Sequence, residues 1–211
     1  MSAVCELPGA SLTLAPADFP DPAFDPAPAA GAESQRAVLA GGCFWCTEAV
    51  FRQLEGVLEV TPGYSGDAAA SARYETVCAG GTNHVEAIEI RFDPGRISYA
   101  RLLKVFFAVA HDPTQVDRQG GDVGRQYRSA IFYGDPQQRA VARAYIDQLS
   151  AAGVFRAPIA TELVPLEAFH VAEAYHHDYA ARNPDQAYIA QVALPKVDKL
   201  QHAFGALLKK A

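Results

Sequence analysis

From Arg36 onward the apolar residues of this chain keep changing their spacing, recurring at every second position over short runs and at every third or fourth over longer ones. Strands and helices interleaved in that irregular way predict an α+β fold in one domain, a two-layer sandwich with a mixed β-sheet flanked by helices. Residues 37–40 read as a short strand, Gly41-Gly42 as a turn, and Phe44, Val50, Phe51 and Leu54 as the apolar stripe of an amphipathic helix that Gly56 ends. A second strand at 57–61 runs into a loop of small residues, Pro62-Gly63-Tyr64-Ser65-Gly66. Residues 84–92 alternate as a third strand, and Ser98 caps a helix to residue 110 that carries Leu102, Leu103, Phe106 and Phe107. After a long polar loop come a strand at 127–133, a helix opened by Asp135-Pro136 and closed by Gly153, a last strand at 159–164, and two helices at 169–181 and 195–209.

Residues 1–33 are different in kind. They hold six of the fourteen prolines, many alanines and no Lys or Arg, so neither a helix nor a ladder can run far through them. They are expected to form an extended or disordered tail, or a strap over the surface, with the folded domain at 34–211. The first basic residue is Arg36, which argues against a secretory or transit peptide and for the cytoplasm. With a net charge of -6, no basic cluster and no apolar run of membrane-spanning length, the chain offers little to nucleic acid or lipid. Its four cysteines are too few for a disulfide framework, and in a reducing compartment such thiols are more often catalytic or metal-binding than structural.

Two of them flank the only tryptophan, in Gly42-Cys43-Phe44-Trp45-Cys46. At the first turn of a helix the Cys43 sulfur would meet unpaired backbone donors and the positive dipole end, which favour its thiolate. Cys46 falls one turn later on the same face, where Cβ atoms lie roughly 5–6 Å apart, so a modest local movement closes a disulfide. This spacing makes Cys43 the nucleophile and Cys46 the resolver. The plainer alternatives are two small buried hydrophobes on a core helix, or half of a zinc site whose second pair of ligands the chain does not supply. Cys5 lies in the tail, and Cys78 reads as a buried residue of a short helix or as a further redox participant.

On the third strand, period two puts Glu86 on one face with Ile88, Ile90 and Phe92. Facing the core, its carboxyl would stay protonated near neutral pH and serve as a general acid; facing water, it would be an ordinary solvated end of a strand. The loop at 112–124 is dense in polar residues and glycine, as functional loops are, and its Asp122 reads as a turn former or as an anchor behind a site. His176 and Tyr179 lie three apart on one helix face, where packing pairs are common.

Taken together these segments resemble the A-type peptide methionine sulfoxide reductases from residue 38 to residue 188. The resemblance rests on Gly42-Cys43-Phe44-Trp45, Gly63-Tyr64-Ser65-Gly66, Tyr74 to Cys78, His84-Val85-Glu86-Ala87, Phe92-Asp93-Pro94, His111-Asp112-Pro113-Thr114, and Arg118-Gln119-Gly120 through Gln126-Tyr127-Arg128-Ser129-Ala130-Ile131. It implies that Cys43 attacks a sulfoxide sulfur while Phe44 and Trp45 hold the S-methyl group, and that Glu86, Tyr74 and Tyr127 bind and protonate the oxygen. Asp122 would support the substrate site, and His176 and Tyr179 match a motif near the pocket. The implied substrate is methionine S-sulfoxide, free or in peptides, with no bound cofactor or metal, an external dithiol such as thioredoxin as reductant, and a monomeric enzyme. Many members carry Gly at the place of Cys46 and resolve through cysteines near the C-terminus, whereas this chain has none after Cys78. The resemblance is therefore to the Cys-x-x-Cys subset. A thioredoxin-like thiol-disulfide oxidoreductase, which would need neither Glu86 nor Tyr127, is the alternative, and a redox-sensing or chaperone-like binding module is a third reading.

Overall fold

The computed structural model describes residues 11–28, 31 and 33–210; Cys5 lies outside the described residues. The chain enters the fold through β1 (Gln35–Gly41), turns at Gly42 and forms α1 (Phe44–Phe51). There follow β2 (Val57–Ser65), α2 (Tyr74–Cys78), β3 (Val85–Phe92) and α3 (Tyr99–Val105), which runs on into a wider turn at Phe106–Ala110. A small hairpin of β4 (Arg118–Gln119) and β5 (Asp122–Val123) leads to β6 (Ser129–Tyr133), α4 (Pro136–Ala151) and β7 (Glu162–Pro165). The last elements are β8 (Phe169–Val171), α5 (Tyr179–Arg182) and α6 (Leu194–Phe204).

Six strands pair in the order β7-β6-β1-β3-β2-β8. All neighbours are antiparallel except β6 and β7, so the sheet is mixed, as the interleaved pattern predicts. Capping residues act where they were expected to: the Ser98 hydroxyl accepts from Arg101 N at 3.1 Å and the Asp135 carboxylate from Gln138 N at 2.8 Å. One face of the sheet packs against the helices through Ala37, Leu39, Ile88, Ile90, Phe92 and Ile131. The other carries Val38, Ala40, Val85, Ala87, Ala130 and Phe132 under the chain around Leu166 and Phe169. The period-two reading of β3 thus places Glu86 on the helix side, where it is 2 % exposed. Helix α1 is buried nearly all round and not amphipathic, because α5 and α6 cover the side turned away from the sheet.

Two segments depart from the sequence reading. Pro62-Gly63-Tyr64-Ser65 is strand, not loop, paired through Ser65 with β3 and from Gly63 with β8. Gly63 is required there: a Cβ would run into the His170 carbonyl oxygen and the Phe169 ring. Residues 169–181 do not form one helix; Phe169–Val171 pairs with the edge of β2, and only Tyr179–Arg182 is α-helical. A free strand edge offers backbone partners that local propensity does not register.

The described part of the proline-rich N-terminal segment, from residue 11, lies against the domain. Leu12 bridges Phe155, Phe19 is 2 % exposed with its ring edge-on to Tyr145 and Phe155, and the Tyr145 hydroxyl donates to the Pro20 carbonyl at 2.8 Å. Ser11 donates to Asp112 at 2.7 Å, and Lys104 pairs with Asp21 at 2.9 Å. Burying a side chain such as Phe19 stabilises by roughly 1.5–3 kcal/mol. Among the described residues no helix is long and apolar enough to cross a membrane.

Candidate active site

The corner between β1 and α1 sets the position of the first thiol. Gly42 has φ +85°, and a Cβ on it would lie 2.6 Å from the Gln119 side chain, so the turn needs glycine twice over. Gln119 in turn grips the Asp112 backbone, accepting from its N–H and donating to its carbonyl, both at 3.0 Å. Cys43 is the N-cap of α1 and 7 % exposed, and Cys46 is fully buried behind it among Ile189, Ala193 and Tyr188.

The expected shift of Cys43 toward the thiolate is not found. The helix donor at Phe44 N is taken by the Glu86 carboxyl at 3.0 Å, and burial, then the neighbouring Cys46, pushes the Cys43 thiol up. Cys46 is instead lowered by the hydrogen bond from Cys43 against its own burial, with help from the ammonium of Lys196. Sequence reasoning did not single out Lys196. It is 2 % exposed on α6 and donates to the Ala110 carbonyl at 2.7 Å.

Burial also dominates at Glu86, whose pKa is pushed up to about 8 against the lowering bond from Phe44 N; Asp122 and Cys46 add to the rise. Glu86 is therefore a neutral carboxylic acid at pH 7, next to the residue that follows Cys43. Tyr74 and Tyr127 are shifted upward, chiefly by burial, and keep their phenolic protons as donors. Half-buried Cys78 faces both hydroxyls, and burial followed by the Glu86 charge raises it.

These groups open on one cleft of about 250 Å³ lined by Cys43, Phe44, Trp45, Tyr74, Glu86, Asp122 and Tyr127, and also by Gln186 and Tyr188. The last two escaped the sequence reading. They follow Asn183-Pro184, whose turn signal points to a loop end and gives no hint that the loop folds back over the thiols. Tyr188 donates to Asp122 Oδ2 at 2.5 Å and lies 3.8 Å from Cys46 Sγ. His176 and Tyr179 do not line the cleft but stand behind Trp45: its indole N–H donates to His176 Nδ1 at 3.1 Å, and Tyr179 stacks on the ring at 3.9 Å and 12°. His176 is 1 % exposed, and its pKa is lowered by burial, which keeps it neutral. The segment carrying Tyr179 is pinned to α1 through Glu48, whose carboxylate accepts from Asp178 N at 3.0 Å.

A wider hollow of about 750 Å³ on the other face of the sheet holds no thiol, and its Arg128 is spent on Glu162 and the Asn83 carbonyl. Among the described residues no group of three or more His, Cys, Asp or Glu is placed to hold a metal ion.

An α+β sheet that sets one thiol, a neutral acid and phenolic donors around a small cleft, with a second thiol buried behind the first, defines a thiol-dependent oxidoreductase. The family model described as peptide methionine sulfoxide reductase matches residues 35–207, and the chain belongs to that family. It is 50 % identical over 193 residues to "Peptide methionine sulfoxide reductase MsrA 2" of Synechocystis, covering 90 % of each chain. To the enzyme named "Peptide methionine sulfoxide reductase MsrA" of Thermus thermophilus it is 54 % identical over 173 residues, 82 % of this chain and 97 % of that one. Among solved structures, reduced Mxr1 of Saccharomyces cerevisiae matches with TM-score 0.65 at 32 % identity, covering 75 % of this chain and 90 % of that one. Methionine sulfoxide reductase A of Corynebacterium diphtheriae matches with TM-score 0.62 at 35 % identity, covering 74 % and 77 %. The thioredoxin-like alternative is left without support.

Proposed function

We propose that the chain reduces methionine S-sulfoxide, free or in peptides, to methionine, with Cys43 as nucleophile and Cys46 as resolver. The observation that carries this reading is Glu86: a neutral acid, 2 % exposed, held 3.0 Å from Phe44 N in the cleft that Cys43 lines. Sulfoxide reduction needs an electrophilic sulfur, hence a proton for its oxygen, and a carboxylate there would oppose it. Phe44 and Trp45 offer apolar walls to the S-methyl group, with His176 and Tyr179 fixing the indole as positioning residues. Tyr74 and Tyr127 add donors for the oxygen.

Cys43 attacks as its proton passes through their hydrogen bond to the Cys46 thiolate. The sulfoxide oxygen is protonated by Glu86 and transfers to the Cys43 sulfur, leaving methionine and a Cys43 sulfenic acid. The sulfoxide sulfur gains the two electrons that Cys43 loses. Cys46 then displaces hydroxide from the sulfenic sulfur and closes the 43–46 disulfide, which an external dithiol reopens; thioredoxin in the cytoplasm is the reductant we propose. A monomer is the state we propose for the chain.

The test is turnover on separated sulfoxide epimers with dithiothreitol as donor. The S epimer alone should be reduced, Cys43→Ser should be inert, and Cys46→Ser, before any dithiothreitol is added, should release one equivalent of methionine per chain and stop without a disulfide. Activity confined to the R epimer, or catalysis surviving Cys43→Ser, would reject the reading.

A further inference from the structure

Once Cys46 has taken the proton of Cys43 it is a thiol, and a thiol closes a disulfide slowly until that proton leaves. It has no direct route to bulk water, being fully buried. Among the described residues its sulfur has one polar side-chain neighbour besides Cys43 at hydrogen-bond range, the Tyr188 oxygen at 3.8 Å, and that hydroxyl donates onward to Asp122 at 2.5 Å. Asp122 is half-buried at the cleft wall and can exchange with solvent.

We propose that Tyr188 and Asp122 form a proton relay that empties Cys46 as it attacks the Cys43 sulfenic acid, an inference that rests on the reading of Cys46 as resolver. The Cys46 S–H bond breaks toward the Tyr188 oxygen while the Tyr188 proton moves to the Asp122 carboxylate. The freed sulfur pair forms the S–S bond, the S–O bond breaks, and the departing hydroxide takes the relayed proton from Asp122 by way of water in the cleft. Thiol and sulfenic acid thus become disulfide and water with no net proton lost. Tyr188 touches a reacting atom and is catalytic in this step; Asp122 acts through it and is a positioning residue.

The charged and titratable groups around the relay favour this direction. Lys196 reaches both Cys46 and Asp122 from α6 and stabilises each as an anion, Glu86 is neutral on β3, and Cys43 on α1 carries no charge as a sulfenic acid. Asp122 itself is raised by burial, which makes it a stronger proton acceptor than an exposed aspartate.

The test mixes reduced protein with one equivalent of methionine sulfoxide, quenches with acid, and follows methionine release and the 43–46 disulfide by mass. In the wild type, disulfide formation should be level from about pH 6.5 upward. In Tyr188→Phe it should fall by about 10²-fold near pH 6, a typical loss for a missing proton acceptor, and climb tenfold per pH unit toward the ordinary thiol pKa of about 8.5. Asp122→Asn, which breaks the same relay at its other end, should show the same slope, and the double variant should be no slower than either single one. Wild-type pH dependence in Tyr188→Phe, or an equal slowing of both steps at every pH in both variants, would overturn the relay. Absence of methionine release from the wild type would instead reject the function on which it rests.

Discussion

Replacing Glu86 by Gln should make the protein more stable and less active at once. Gln keeps the shape and an oxygen acceptor for Phe44 N but never ionises. In the folded chain the acid titrates at about 8 instead of 4.5, with burial as the leading cause. An acid raised in this sense costs nothing below its unfolded pKa and progressively destabilises the fold as pH climbs to the folded one. At ~1.36 kcal/mol per pKa unit, the cost is about 3 kcal/mol at pH 7 and about 5 kcal/mol above pH 8. At pH 7 roughly nine in ten molecules hold the proton, against roughly one in three hundred for an ordinary carboxyl, so the same burial loads the acid that sulfoxide reduction needs. Urea titrations of both proteins at pH 5 and pH 7.5 should show a stability gain for Glu86→Gln that widens with pH, while single-turnover methionine release falls by about 10²–10⁴-fold. In the wild type that release should decline above about pH 8, as the acid empties. A stability difference indifferent to pH, or a variant that reduces sulfoxide at the wild-type rate, would refute the reasoning.

Two further perturbations probe the surroundings of the thiols. His176 accepts from Trp45 only while neutral, so protonation should release the ring; because burial lowers His176, emission from this sole tryptophan should titrate with a midpoint below the ordinary 6.5. A midpoint at or above that value, or a titration that persists in His176→Phe, would contradict the assignment. Gly42→Ala forces a side chain into φ +85° and against Gln119, and should lower stability by about 1–3 kcal/mol, read as a fall in Tm, with methionine release impaired. An unchanged Tm would show that the corner is not constrained as described.

Whatever depends on one element was readable in the residues; whatever depends on two elements meeting was not. Alternation along β3 alone puts Glu86 on one face with Ile88 and Ile90, but only the helices packed above that face decide that it is buried. The strand-to-helix corner was legible in Gly41-Gly42 and the cysteine spacing. The Cys43 pKa was not, since it is raised first by burial, which other elements impose, then by Cys46, while Glu86 comes from a strand forty-two positions away to claim the Phe44 amide. Residues 169–181 carry helical spacing, yet pairing with the edge of β2 takes three of them into the sheet. Gln186, Tyr188 and Lys196 reach the site by folding back after Pro184, a path that no local periodicity encodes.

The described part of the N-terminal segment, from residue 11, carries no thiol, yet it is linked to the nucleophile through few contacts. Ser11 holds the Asp112 carboxylate, the Asp112 backbone holds Gln119, and Gln119 fills the space that keeps Gly42 a glycine beside Cys43. Phe19, wedged against Tyr145 and Phe155, anchors the same segment at the far end of α4. Ser11 thus stands at one end of a run of contacts that finishes at the corner beneath the sulfur, which makes this proline-rich stretch part of the scaffold on which the thiol rests.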